Sequence, residues 1–414
     1  MDTRAQQDIV TADFAGEAGK FFGLVLRGSL LQVPTFGFYR FWLLTDIRRH
    51  LWANTRLGIE SLEYTGRAKE LLIGFLIALA ILAPVYLIYF LLSLEAERLQ
   101  AFASIPFLLF LYVLGYYASY RARRYRATRT VFRGLRFSMT GSGWAYTGRA
   151  ILWDALSVIT LGLAYPWRTA ALERYRMGHT HYGDLPGAFV GTGWTFFKRG
   201  WWLWLLSVIV VFIWALVMYA LITGGITRFA LSTVTTPRAI ALLILGTLLI
   251  HGVLTFVIVG MLIWPTLRAI QLRWRLDGIS IGDAALTSTL TKGRVLRCYL
   301  KGWLAGFALL VPVGIALNVS FSLLSGASLE QVMTQPGSVP PQILIPGHAV
   351  FYVASLVGLG AIKLHFFDRG VWAAAVNSLA VINMSALDAA VARGEAAGSV
   401  GEGLVDALDF GGGL

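Results

Sequence analysis

Pro166-Trp-Arg-Thr-Ala-Ala-Leu-Glu-Arg-Tyr-Arg-Met-Gly-His-Thr-His-Tyr-Gly183 decides how the chain is read, because the pattern it carries occurs three times. The other copies start at Phe41 and Pro265, and each reaches a glycine seventeen residues after its start: Gly58, Gly183 and Gly282. Eight residues into each copy stands an arginine, Arg49, Arg174 or Arg273, followed by a ring side chain, His50, Tyr175 or Trp274. A block that recurs in one register is a repeat, and a repeat constrains the fold before any single element does. Each copy adjoins a long apolar run. The repeat therefore alternates basic sequence with sequence of membrane-spanning length.

Composition points the same way. Hydrophobic residues make up 57% of the 414 and charged residues 14%, against about 45–50% and about 25% in soluble domains. Six segments are long enough for a hydrocarbon core that needs about 20 apolar residues: 71–94, 101–120, 201–223, 239–266, 303–324 and 343–366. Two shorter apolar stretches, 24–44 and 151–167, hold Arg27, Arg40 and Asp154. They are expected to lie in the interface or to dip partway in. Asp2, Asp8, Asp13 and Glu17 precede any apolar run, which disfavours a cleavable signal peptide. The single cysteine, Cys298, can form neither an intramolecular disulfide nor a cysteine metal site.

The net charge of +13 is placed unevenly. Of 35 Lys and Arg, only Arg98, Arg228 and Arg238 fall in the connections 95–100, 225–238 and 325–342. The positive-inside rule then puts those connections outside and both termini in the cytoplasm of a bacterial inner membrane. A nucleic-acid role would need a basic soluble domain or a recognised motif, and neither is present.

The expected fold is an all-α membrane protein of three repeated transmembrane helical hairpins, six spans in all, with interfacial or re-entrant helices and small cytoplasmic β elements. Repeat one covers 1–120 with hairpin 71–120, repeat two 121–266 with hairpin 201–266, and repeat three 267–382 with hairpin 303–366. A flexible cytoplasmic tail, 383–414, follows. Short strands are expected near Leu62–Thr65 and Arg136–Thr140, beside a second motif of an aromatic residue followed closely by glycine. Phe14-Ala-Gly16, Tyr64-Thr-Gly66, Phe137-Ser-Met-Thr-Gly141, Tyr146-Thr-Gly148 and Phe189-Val-Gly191 fit it.

Candidate sites fall into two groups. Arg49, Arg174 and Arg273, placed alike in the three copies, could converge on an anion; alternatively each holds its own repeat together, with Asp46 and Glu173 as nearby acids. Arg121, Arg123, Arg124 and Arg126 belong to the densest basic run, which suits an acidic headgroup as well as a topology anchor. Ionisable or polar residues at membrane depth are Asp154, His251, Lys363 and Asn318. Asp154 has Arg149 nearby, and His251 can relay a proton or bond a helix carbonyl. Glu402, Asp406 and Asp409 would share one helical face and could dock the tail on the basic blocks. No phosphate loop, nucleophile elbow or metal-ligand spacing occurs, so neither an enzyme, a cofactor nor a metal is expected.

Thr160-Leu-Gly-Leu-Ala-Tyr-Pro-Trp167, its weaker copy Thr35-Phe-Gly-Phe-Tyr-Arg-Phe-Trp42, Asn54-Thr55 and Gly401-Glu-Gly-Leu-Val-Asp-Ala-Leu-Asp409 resemble the YjgN-like family of bacterial multi-pass inner-membrane proteins. That resemblance implies an inner-membrane location and supplies no catalytic residues. The expected function is transport, a channel or lipid handling, with membrane lipids, anionic ones included, as partners. The alternative is a non-transporting scaffold or regulator whose cytoplasmic blocks bind a partner.

Overall fold

The computed structural model describes residues 8–95, 100–222, 237–325 and 341–393. One unit, strand, helical hairpin, strand, is used five times. The first is β1 (Ile9–Phe14), α1 (Ala18–Gln32), α2 (Arg40–Ala53) and β2 (Thr55–Leu57). The second opens on a broken strand, β3 (Glu60–Ser61) and β4 (Glu63–Tyr64), and continues with α3 (Ala68–Glu95), α4 (Gln100–Thr128) and β5 (Thr130–Phe132). The third is β6 (Leu135–Met139), α5 (Gly143–Ile159), α6 (Tyr165–Met177) and β7 (Thr180–Tyr182). In the fourth, β8 (Leu185–Phe189) leads to α7 (Gly193–Ile222). Its helix α8 (Pro237–Thr255) runs through a π-helical segment into α9 (Trp264–Gly278), before β9 (Ile279–Ile281). The fifth has β10 (Ala284–Ser288), α10 (Lys292–Ser325), α11 (Pro341–Ile362), a π-helical segment Lys363–Arg369, α12 (Gly370–Val376) and β11 (Leu379–Ile382).

All pairings are antiparallel, within units and between neighbouring units, giving one sheet ordered β3-β2-β1-β11-β10-β9-β8-β7-β6-β5-β4, with β3 paired only to β2 and β4 only to β5. The first and last strands meet in it, with Ile9 opposite Ile382. Only Leu62 separates the outer strands β3 and β4, so the sheet is nearly closed into a barrel, which leaves little free edge. The five helical hairpins leave one end of this barrel, and the turns that join the units sit at the other. The turn residues Gly58, Gly134, Gly183, Gly282 and Asn383 have φ of 65°, 73°, 57°, 53° and 57°. Glycine and asparagine accept that conformation more readily than other residues. The repeated glycine of the sequence is therefore the turn between units.

The barrel lumen is packed. Phe132, Tyr182, Ala284 and Val381 fill it with Leu57, Leu62 and Ile281, and a short helix, Met384–Ala389, plugs the turn end through Met384 and Leu387. Hydrogen bonds from the Met384 and Val391 amides to the Asp8 carbonyl and the Asp184 carboxylate hold that plug across the turns.

The all-α, six-span expectation is thus corrected. Strands of two to six residues were too short to show alternation, and they become a sheet only through pairing between distant units. Among the described residues five helices are long and apolar enough to cross a membrane: Ala68–Leu92, Gly193–Ala220, Leu245–Gly278, Lys292–Ala316 and Ala349–Val376. Only 6–17% of each apolar window is buried inside the protein, so these helices turn their surface outward, as is compatible with a membrane protein. The run 101–120 is part of α4, which ends in Arg121–Arg126. The stretches 24–44 and 151–167 contain two helical hairpins rather than single helices, turning back at 33–39 and 160–164. Their arms α1 and α5 rise about 22–25 Å from the barrel at 1.5 Å per residue, against about 45–51 Å for α7 and α10.

Candidate functional site

The short hairpins turn in one way. Thr35 Oγ donates to the Leu31 carbonyl at 2.6 Å and accepts from the Tyr39 amide at 3.1 Å. Thr160 repeats this with Leu156 at 2.8 Å and Ala164 at 3.1 Å. Two successive left-handed residues, Phe36-Gly37 and Leu161-Gly162, reverse the chain. Both tips are apolar and bare: Phe36 is 93% and Leu161 77% exposed. The second tip is fastened to a long helix by Trp204 Nε1, which donates to the Leu161 carbonyl at 2.9 Å. The first tip borders a groove of about 490 Å³ against α11. Phe36, Val353, Leu356 and Gly360 line its apolar wall, and Arg40 and Lys363 line it as cations. The π-helical turn brings Lys363 Nζ to 3.5 Å from Asp368, five residues on.

The ionisable residues singled out from the sequence are spread among several sites. Arg49 donates to the Gly66 carbonyl at 3.0 Å and Arg174 to the Gly191 carbonyl at 3.5 Å. Each thus reaches the aromatic–glycine motif of the following unit. There the ring lies over the glycine: a side-chain carbon at Gly66 would stand 2.5 Å from the Tyr64 ring, and at Gly191 2.5 Å from that of Phe189. Arg273 instead faces Asp277 at 3.8 Å. Among the described residues the three arginines share no partner. Gly148 of the proposed Tyr146-Thr-Gly148 motif lies within helix α5 and makes no turn.

Arg123 belongs to a buried cluster that no local pattern announced. Glu173, 2% exposed, takes Arg123 at 3.0 Å, Arg176 at 3.1 Å and Arg275 at 3.8 Å, so α4, α6 and α9 of three units meet on one carboxylate. Burial alone would raise the Glu173 pKa; the charges of Arg123, Arg275 and Arg176 hold it well below the usual carboxylate range. Arg121 stands 6.0 Å from the Tyr117 ring centre, and Arg124 and Arg126 lie on the same helix, α4.

Asp154 pairs with Arg168, not with Arg149, and accepts from the hydroxyls of Tyr112 and Tyr116 at 2.5 Å each. Arg149 instead lies over the Tyr175 ring at 4.4 Å. His251 Nδ1 is 2.9 Å from the Thr247 carbonyl one turn earlier, the bonding pattern of a helix histidine. The Asn318 side chain, the three connections and the segment 401–409 lie outside the described residues. Sequence reasoning noticed Arg40 only as a charge interrupting an apolar stretch. That interruption was the available signal for the groove.

Comparison with known proteins adds the family alone. No curated protein and no solved structure matches the chain. Residues 10–407 match the family described as bacterial protein of unknown function (DUF898), which is the YjgN-like family, and the chain belongs to it.

Proposed function

We propose that this is a lipid-handling protein of the bacterial inner membrane that holds an anionic amphiphile in the groove between the first short hairpin and α11. The observation that carries this reading is the joining of apolar walls with Arg40 and Lys363 in one groove. An acyl chain suits the walls, and a phosphate suits the cations. Depth supports it. Arg40 stands fifteen residues before Thr55, about 22 Å above the sheet, where the short hairpins end and the long helices continue for roughly another 25 Å. With the barrel and both termini in the cytoplasm, as the charge distribution favours, the groove opens at the level of the inner-leaflet headgroups. An aqueous channel along the barrel axis is disfavoured by the packed lumen. In this reading the protein binds its ligand and does not transform it.

The test is native mass spectrometry of the protein released from nanodiscs of mixed phosphatidylcholine and phosphatidylglycerol. The wild type should retain phosphatidylglycerol above its share of the disc, and Arg40→Gln with Lys363→Gln should lose that excess. Retention in the bulk ratio by the wild type would overturn the reading and leave the scaffold alternative in its place.

A further inference from the structure

A second concavity, of about 410 Å³, lies on the outer face of the fifth unit and is lined by Arg294, Arg297, Cys298, Lys301, Ala374 and Asn377. Spacings of three and four put Arg294, Arg297 and Lys301 on one face of α10. All three are exposed. No carboxylate lines this groove, and among the described residues none of the three cations has an ion-pair partner. The fourth unit handles its cations differently at the corresponding place: Arg199 pairs with Asp277 at 3.2 Å, and Lys198 lies over the Trp194 ring at 5.3 Å. A topology anchor needs only positive charge in the right compartment. It does not need three charges gathered in a hollow from which acids are missing.

Asn377 adds a directional donor. Its Oδ1 accepts the Phe14 amide at 2.7 Å, and because that partner can only donate, the orientation of the side-chain amide is fixed. The Nδ2 hydrogens, which make no bond among the described residues, are left for the groove. Two guanidinium groups, an ammonium and an amide thus offer donors and positive charge and no acceptor oxygen of a carboxylate. Lys301 stands thirteen residues beyond Ser288, about 20 Å above the sheet and level with the short hairpin tips. Trp303 stands two residues on, as aromatic residues collect at a membrane surface.

We infer that this groove is a phosphate-binding site for the headgroup of an anionic phospholipid in the adjoining leaflet. The site is separate from the groove of Arg40 and Lys363 and does not depend on what that groove holds. The shared chemistry is a phosphate carrying at least one charge; a soluble phosphate compound would use the same donors.

Cys298, the only cysteine of the chain, lies inside the groove and reports on its occupancy. The experiment measures modification of Cys298 by neutral N-ethylmaleimide in the full chain, in nanodiscs of phosphatidylcholine with increasing phosphatidylglycerol. The reference is Cys298→Ser with Gly148→Cys. Gly148 is exposed on α5 at a similar height, with open space for a side chain, so it reads any general change in surface pH. Anionic lipid should slow Cys298 and leave the reference unchanged. Replacing Arg294, Arg297 and Lys301 by Gln should shift the lipid fraction needed for half-protection by roughly a hundredfold. Protection of Cys298 by millimolar inorganic phosphate in neutral discs, without any from phosphatidylglycerol, would keep the phosphate site and overturn the lipid source. Equal slowing of Cys298 and the reference, or protection surviving the triple substitution, would overturn the site itself. Neither result touches the Arg40–Lys363 groove, whose retained lipid is read separately.

Discussion

Trp52 and Trp372, from the first and last units, stack with ring centres 4.9 Å apart. Each indole also reaches across a unit boundary: Trp52 Nε1 donates to Thr130 Oγ and Trp372 Nε1 to Thr55 Oγ, both at 3.0 Å. The pair fastens the ring of units where the first and last units come together. Trp372→Ala removes the stack and one of these bonds and should destabilise the protein by about 3–5 kcal/mol. Trp372→Phe, which keeps a ring but not the donor, should cost about 1 kcal/mol. Unfolding in mild detergent, followed by near-UV circular dichroism, ranks the two. Equal stability of wild type and Trp372→Ala would mean that the ring closes without this pair.

Glu173 makes a second claim on stability. Its carboxylate is the shared partner of Arg123, Arg176 and Arg275, so Glu173→Gln leaves three partly buried guanidinium groups without their counter-charge, a loss of roughly 2–4 kcal/mol at neutral pH. The pH dependence has a definite sign. An unfolded glutamate titrates near 4.3, while the folded Glu173 is held lower by its arginines. Its contribution is therefore complete above the unfolded value and is lost as pH falls below about 4.3 towards the folded one. The gap in unfolding temperature between wild type and Glu173→Gln should be wide at pH 7 and narrow below that value. A gap that widened in acid would contradict the assignment.

What the sequence disclosed follows from the range over which each feature acts. Gly58, Gly183 and Gly282 were visible because each ends a block of similar composition. Gly134 follows the arginine run of α4, which lacks the block, and at the end of the fifth unit Asn383 takes the left-handed conformation where β11 leads into the plug helix. Three copies were therefore read where the fold has five. The latch of arginine on glycine was also within reach. Arg49 and Gly66 stand seventeen residues apart, as do Arg174 and Gly191, and the third copy breaks the rule by placing Leu290 there. The Glu173 cluster had no such trace, since its members come from three units and meet only when the sheet closes. The short hairpins were read as single apolar stretches because their helices meet at Phe36-Gly37 and Leu161-Gly162 without a polar loop.

The left-handed residues that close the units can be tested at two positions. Gly183→Ala forces a side chain into the left-handed region, at roughly 1–2 kcal/mol, and its methyl would overlap the Val391 carbonyl oxygen that crosses beneath the turn. Asn383→Gly keeps a residue suited to φ 57° and should change stability by no more than about 1 kcal/mol. Thermal unfolding of the two purified variants separates them. A Gly183→Ala protein as stable as Asn383→Gly would show that the turn end of the barrel is loosely built.

The first short hairpin is half as long as the apolar helix α7. Its arm α1 has fifteen residues, about 22 Å of helix, and starts at the barrel, whereas α7 has thirty, about 45 Å. If the long helices end at the far surface of a hydrocarbon core about 30 Å thick, roughly the first 15 Å of every helix lies outside it. The tip at Phe36 then enters the core by less than 10 Å, enough to bury an aromatic ring beneath the headgroups and too little to cross. Its 93% exposure in the protein is what such insertion would leave, since lipid rather than protein covers the ring. A spin label on Phe36→Cys, in a Cys298→Ser background, should give a collision depth close to that of the headgroup boundary. The same label at Phe212, nineteen residues into α7 and 61% exposed, should sit well inside the core. Equal depths at the two positions would make the hairpin a full pair of spans, and would remove the groove at Arg40 and Lys363 from the headgroup level.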